Sequence, residues 1–145
     1  MIILEILAVL ACTLFAGAAI YINIAEHPAR LSCGTELAAT VFGPSYNRAA
    51  TMQVSLALIA TISGIVIWAT TGGLLWITGS ILIFSVIPFT FAAIMPTNKI
   101  LLDPQIDRAS EETRALLVKW GKLHFVRSIL SGIASLAFLY EVVAT

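Results

Sequence analysis

Trp120, His124, Arg127, Ser131 and Ser135 recur every three or four residues in a stretch that reads Trp-Gly-Lys-Leu-His-Phe-Val-Arg and then carries no charge as far as Glu141. On a helix this spacing aligns them as one polar stripe. Its two ionisable members supply different chemistry. An imidazole exchanges a proton near neutral pH, with a reference pKa of about 6.5, and a guanidinium stays cationic. Between Arg127 and Glu141 no residue is charged. That interval gives only roughly 20 Å of helix at about 1.5 Å per residue, whereas a bilayer core is roughly 30 Å thick and takes about 20 residues to cross. A helix with Glu141 at one interface therefore carries Arg127 and His124 into the other half of the membrane. An arginine at the centre costs roughly 2.5–3.5 kcal/mol on insertion scales, and such a residue by default marks a functional site. A plainer reading fits the same stripe: Arg127 snorkels to the headgroups and His124 hydrogen-bonds a neighbouring helix.

The composition places that stripe in a membrane. The chain has 145 residues, 59% hydrophobic and 11% charged, with a mean hydropathy of +0.99. Soluble domains carry about 25% charged residues. We read residues 1–145 as a single integral membrane domain. The formal net charge is zero, which argues against nucleic acid as a partner. Cys12 and Cys33 form no Cys-x-x-Cys pair, so thiol exchange has little support. Cys12 reads as helix packing and Cys33 as a loop residue. The opening Met-Ile-Ile-Leu-Glu lacks the positive charge that begins a secretory leader, so the first apolar stretch is expected to be a retained span.

Four spans are expected, at about residues 2–25, 45–70, 74–95 and 110–143. Joined by short connections, they form an all-α, up-down-up-down four-helix bundle. The first ends in Asn23, Glu26, His27 and Arg30, which share a helical face, with Pro28 helping to end it. Leu31 to Pro44 reads as a loop or short interfacial helix. The second span opens with Tyr46, Asn47 and Arg48, and Asn47, Thr51 and Ser55 form a weak polar stripe. Thr71-Gly72-Gly73 is a tight turn. The third span is uncharged and should kink at Pro88. Pro96 to Ser110 is a polar connection. Glu111 and Glu112 suit the start of the fourth helix, whose first turns project from the membrane with Arg114 and Lys119 solvated. Small residues around Gly17, Gly64 and Gly132 suit packing within the chain and also permit a homo-oligomer.

This threading places all eight lysines and arginines at the end that bears His27. The positive-inside rule makes that end cytoplasmic and both termini external, as in a bacterial inner membrane protein. It also brings His27, Asn47, Arg48, Asn98, His124 and Arg127 to one level, from four different helix ends. A shared cavity explains that convergence better than four separate accidents do.

At these residues the sequence resembles a known family. Phe15-Ala-Gly-Ala-Ala-Ile-Tyr-Ile-Asn-Ile-Ala-Glu-His-Pro-Ala-Arg is similar to its first-helix pattern. Phe42-Gly-Pro-Ser-Tyr-Asn-Arg-Ala-Ala-Thr-Met-Gln resembles the start of its second helix. Pro88-Phe-Thr, Met95-Pro-Thr-Asn-Lys-Ile-Leu and Trp120-Gly-Lys-Leu-His-Phe-Val-Arg resemble the remaining blocks. The family is the anthrone-oxygenase-like group of small four-helix membrane proteins, many of whose bacterial members carry only the description "domain of unknown function". The resemblance covers nearly the whole chain. It implies an oxygenase: fungal members convert anthrones to anthraquinones with molecular oxygen and without an evident flavin or haem. The matching positions are His27, Asn98, Trp120, His124 and Arg127.

On that reading the substrate is a small hydrophobic aromatic, such as an anthrone, phenol or quinol. Its acidic C–H is removed, and the electron-rich anion reacts with oxygen with no cofactor. His124 is the expected base, with His27 as competitor. Arg127 would stabilise the oxyanion and Asn98 would hydrogen-bond the carbonyl or hydroxyl. Trp120, Tyr46 and Phe89 would stack on the ring, with Asn23 and Asn47 continuing the polar wall. Two alternatives stay open. His27 and His124 could ligate haem b or a metal ion, perhaps with Glu26, although no His-x-x-x-His or Glu-x-x-His motif is present. Or the chain is a non-enzymatic lipid or quinone binder, or a subunit of a larger complex.

Overall fold

The computed structural model describes residues 1–144, and these are all helix and connection. Four continuous helices form the bundle: α1 (Ile2–Ser32), α2 (Thr35–Thr71), α3 (Leu74–Leu101) and α4 (Glu111–Ala144). Each is long and apolar enough to cross a membrane. Each packs on the next in chain order, and α1 closes the ring against α4. Neighbours run antiparallel. Met1 meets Thr70 at one end of the α1–α2 pair, and Glu26 meets Ser45 at the other. The outer surface between the ends is apolar, with Ile24, Ile62, Ile81 and Leu136 among the exposed side chains.

Three helices run further than the sequence suggests, and the prolines explain two of the cases. A proline inside a helix has no N–H for the carbonyl four residues back, and its ring clashes with that carbonyl. The chain answers at Pro28 and Pro96 with a π turn just upstream, at Ile22–Glu26 and Thr90–Ile94. There the His27 and Met95 N–H groups bond the carbonyls of Ile22 and Thr90, five residues back. The helix widens and continues past each proline, so α1 runs to Ser32 instead of Ala25, and α3 to Leu101 instead of Met95. Asn98 therefore lies within α3. The segment read as a loop or short interfacial helix before Pro44 is, from Thr35 on, the first part of α2 and continuous with it. Ala38, Ala39 and Phe42 project from it into a core with Ile94, Leu101 and Leu117. That burial outweighs the turn signal of Gly43-Pro44.

The connections use backbone that glycine permits. Gly34, between α1 and α2, has φ 103°. Gly72 closes α2 at φ 78°, donating its N–H to Trp68. The fourth helix starts where expected. Ser110 Oγ accepts from the Thr113 N–H at 3.1 Å, and Glu111 and Glu112 occupy the first turn. Arg114, expected to be solvated, instead reaches back to the Leu31 carbonyl and Thr35 Oγ1 at 3.4 Å each. It ties α4 to the α1–α2 connection.

Two apolar cores are stacked along the bundle. One, at the end bearing the termini, joins Phe15, Ala57, Ile67, Trp76, Ile83 and Phe138. There Phe138 fits against two glycines. A Cβ on Gly79 would come 2.5 Å from its ring, and one on Gly64 2.9 Å. Gly64 thus packs within the chain, whereas Gly17 and Gly132 face open space. The second core, which contains Phe42, Leu117 and Trp120, sits at the other end. The polar residues gather beside it.

Candidate functional site

The site is built on a clamp between α1 and α4. Asn23 and His27, one turn apart on α1, reach two carbonyls one turn apart on α4. Asn23 Nδ2 donates to Gly121 O at 2.9 Å, and His27 Nε2 lies 2.8 Å from Leu117 O. A carbonyl only accepts, so the Asn23 amide has one allowed orientation and His27 carries its hydrogen on Nε2. Gly121 makes the approach possible, since a Cβ there would stand 2.8 Å from His27 Cδ2.

This clamp determines the state of the second imidazole. With the amide nitrogen committed to Gly121, Asn23 Oδ1 accepts from Ser128 Oγ at 2.7 Å and faces His124 Nδ1 at 2.8 Å. His124 must then hold its hydrogen on Nδ1, which leaves the Nε2 lone pair of the neutral ring open. No group among the described residues bonds that Nε2.

His124 faces a small cavity of about 20 Å³, lined also by Arg30, Tyr46, Gln53, Trp120 and Arg127. A second cavity of about 180 Å³ adjoins it, with Phe15, Val54, Val86, Phe91 and Met95 on its wall. Tyr46, Ala50, Gln53 and Arg127 belong to both walls. Arg127 therefore stands at the junction, its guanidinium 5.4 Å over the Phe15 ring and Nη2 donating to Gln53 Oε1. It is 7% exposed, and no carboxylate pairs with it among the described residues. The one ion pair there joins Arg30 to Glu26 at 3.5 Å. Around the small cavity, Arg30 Nε and Nη1, Gln53 Nε2, Trp120 Nε1 and Arg127 Nε are buried without partners among the described residues.

The expected residues fare differently. His124, Arg127, Trp120 and Tyr46 come together on the small cavity's wall. Asn23 and His27 sit behind it, as the clamp. Trp120, expected to stack on a flat ligand, is enclosed by protein rings. Its centroid lies 4.8 Å from that of His124, 5.0 Å from His27 and 5.2 Å from Phe42. Asn47 is exposed, because it follows Tyr46 by one residue and so points roughly 100° away from it around the helix. Phe89 packs against the second core and lines neither cavity. Asn98 is fully buried, with both amide atoms unpartnered among the described residues, and also lines neither.

His27 is not on the wall of the small cavity that His124 faces, and its Nε2 is engaged by the Leu117 carbonyl. No group of three or more His, Cys, Asp or Glu side chains is placed to hold a metal among the described residues. Gln53 and Ser128 are the residues that the spacing argument missed. Gln53 did carry a signal, as an amide inside the apolar run of the second span.

The arrangement defines a four-helix bundle of membrane-spanning type with an oriented histidine and an unpaired arginine at the junction of two cavities. Residues 42–137 match the family model described as Anthrone oxygenase, and the chain belongs to that family. It is similar to Anthrone oxygenase tpcL of Aspergillus fumigatus, 36% identical over 78 residues, or 50% of this chain and 48% of that protein. It is also similar to Anthrone oxygenase AgnL2 of Paecilomyces divaricatus, 43% identical over 54 residues, or 32% of this chain and 33% of that protein. The matches thus span from a third to about half the length of these curated relatives. No solved structure matches.

Proposed function

We propose that the protein is a membrane-embedded oxygenase that removes a proton from a flat, anthrone-type C–H acid and lets the resulting anion react with molecular oxygen. The observation that carries this reading is the pairing of an open His124 Nε2, its tautomer set by Asn23, with an Arg127 that no carboxylate neutralises. A base and a fixed cation beside an apolar slot are what such a reaction needs.

The ring system lies in the larger cavity with its reacting edge toward Arg127. His124 Nε2 takes a proton from the CH₂ group, and the charge moves to the ring oxygen, where Arg127 stabilises it. The anion gives one electron to dioxygen, and the two radicals join as a C–O bond, forming a peroxide anion. His124 returns its proton to the terminal oxygen. Loss of the second C–H proton then breaks the O–O bond, leaving a carbonyl and water. The net change is CH₂ plus O₂ to C=O plus H₂O. The substrate supplies all the electrons.

The size of the larger cavity bears on how the substrate sits. Cavities of roughly 150 Å³ hold benzene, so about 180 Å³ encloses part of a tricyclic ring system. The remainder extends past Val54 and Phe91, which are 45% and 65% exposed, on the flank that faces lipid. Access is therefore lateral, from the bilayer. The exposed Arg48, Lys99, Arg108, Lys119 and Lys122 gather at the site end, which supports a cytoplasmic position for it.

The test is oxygen uptake by the protein in lipid discs with a dihydroxyanthrone and isotopically labelled dioxygen. Uptake well above that of empty discs is expected, with one labelled oxygen atom in each quinone formed. A rate equal to spontaneous oxidation in empty discs would overturn the proposal.

A further inference from the structure

The two cavities share a wall but not a base. Tyr46, Ala50, Gln53 and Arg127 line both, whereas His124 lines only the small one. A ring system in the larger cavity meets Arg127 at the junction and stops short of the imidazole. What separates the two is the small cavity, of about 20 Å³. One water takes roughly 10–15 Å³ of such space and needs two to four polar partners. The volume therefore suits about one water and no larger ligand.

The wall selects the same occupant. His124 Nε2, with the ring hydrogen held on Nδ1 by Asn23, only accepts. Arg30 Nε and Nη1, Gln53 Nε2, Trp120 Nε1 and Arg127 Nε only donate, and none has a partner among the described residues. These side chains are between 1% and 7% exposed, so bulk solvent does not serve them, and bonds left unmade there are costly. An anion could accept from the N–H groups but has no hydrogen for Nε2. A water does both, and bridging waters are nearly as favourable as direct bonds. Its oxygen accepts from the N–H side of the wall, one hydrogen points to Nε2, and the other is free for a group at the junction.

We infer that the small cavity is a site for one ordered water, and that this water relays the proton between the substrate and His124. The relay rests on the oxygenase reading; the water rests on the cavity and its wall alone. As the substrate carbon gives its proton to the water oxygen, the water gives one of its own hydrogens to Nε2. A C–H and an O–H bond break, an O–H and an N–H bond form, and the C–H electron pair stays on the substrate. The water is regenerated. The same path, run backwards, returns the proton to the terminal oxygen of the peroxide. His124 thus acts as a base through one water, and the guanidiniums favour the negative charge that the water oxygen gains while the proton is in transit.

Separate measurements read the water and the relay. A crystal structure grown from a lipid phase, at a resolution that shows single waters, should place one within hydrogen-bond distance of His124 Nε2. A cavity closed by side chains, or holding no water, would overturn the inference. The relay is read from initial rates of oxygen uptake in lipid discs with a dihydroxyanthrone deuterated at its CH₂ group. Deuteration slows C–H cleavage, so the solvent matters only if its hydrogens move in that same step. With the water in the step, the rate in D₂O should be about twofold below that in H₂O. Direct transfer to Nε2 predicts equal rates, and equal rates would sink the relay. Ala49 lines the small cavity and not the larger one, so Ala49→Val takes the water's space. Turnover should fall by roughly 10²-fold, while affinity for anthraquinone stays that of the unaltered protein, which also shows that the variant is folded. Full turnover in a variant whose structure lacks the water would count equally against the relay. A rate in the unaltered protein no higher than in empty discs would defeat the oxygenase reading instead, and the crystal structure would still decide the water.

Discussion

The two ends of the bundle handle buried polar groups in opposite ways. At the end bearing the termini, hydroxyls return to their own helices: Thr61 Oγ1 donates to Ala57 O at 2.7 Å, and Ser80 Oγ to Trp76 O at 2.7 Å. The Glu141 carboxylate accepts the Leu75 N–H at 3.1 Å, at the start of α3. Phe138 fills the space over Gly64 and Gly79. At the other end, the unpartnered buried atoms belong to His27, Arg30, Gln53, Asn98, Trp120 and Arg127. One chain thus meets the ordinary rule of satisfied buried polar groups in one half and departs from it in the other. Arg30, Gln53, Trp120 and Arg127 among them line the small cavity that His124 faces. The closed end satisfies its buried polar groups within the protein; the open end leaves several unpartnered among the described residues, beside the proposed site.

That contrast can be broken from either side. The largest effect is expected at His124. His124→Ala should lower turnover by roughly 10²- to 10⁴-fold, the usual worth of a positioned base, and should also lower the unfolding temperature, because it removes a buried ring that stacks on Trp120 and bonds Asn23. Normal turnover in a correctly inserted His124→Ala protein would remove the base from the mechanism. Arg127→Met should separate the two properties. Turnover should fall by roughly 10²- to 10³-fold, whereas stability should change little: the bond to Gln53 Oε1 is lost, but so is the burial of a charge that no carboxylate neutralises among the described residues. Kinetics and melting curves on the same preparation read both, and a large loss of stability would show that the Gln53 and Phe15 contacts outweigh the cost of burying the charge. Gly79→Val should do the reverse at the closed end. Its new methyls collide with Phe138, costing about 1–3 kcal/mol of stability, and turnover per folded molecule should stay constant. A drop in turnover as large as the drop in stability would show that the two ends are coupled.

The bundle was legible because four apolar stretches of spanning length leave few other solutions. The ends of the helices were less so. Pro28, Pro96 and Gly43-Pro44 are the usual marks of a stop, yet each lies inside a helix. A local rule about prolines cannot anticipate a π turn formed upstream, or the burial of Ala38 and Phe42 against α3 and α4. In the site, helical spacing identified His124, Arg127 and His27, because periodicity reports which residues share a face. It could not tell the clamp from the proposed base. That distinction depends on the Gly121 carbonyl fixing the Asn23 amide, a contact between residues far apart in sequence. Nor could spacing choose between Asn47 and Gln53, since the inward face of α2 is defined by what α1 and α4 place opposite it.

The π turns in α1 and α3 have a consequence for how this chain can vary. Each accommodates one residue more than a regular helix would over the same rise, and so sets the rotational phase of everything beyond it. One residue is roughly 100° of turn. Losing Ile24 or Ala25 would keep every side chain of the site in the sequence, yet swing His27 and Arg30 away from α4 toward the lipid. In this segment, spacing constrains the chain more tightly than composition does. Exchanging one apolar residue for another is a small perturbation, whereas an insertion or deletion of one residue disconnects the site.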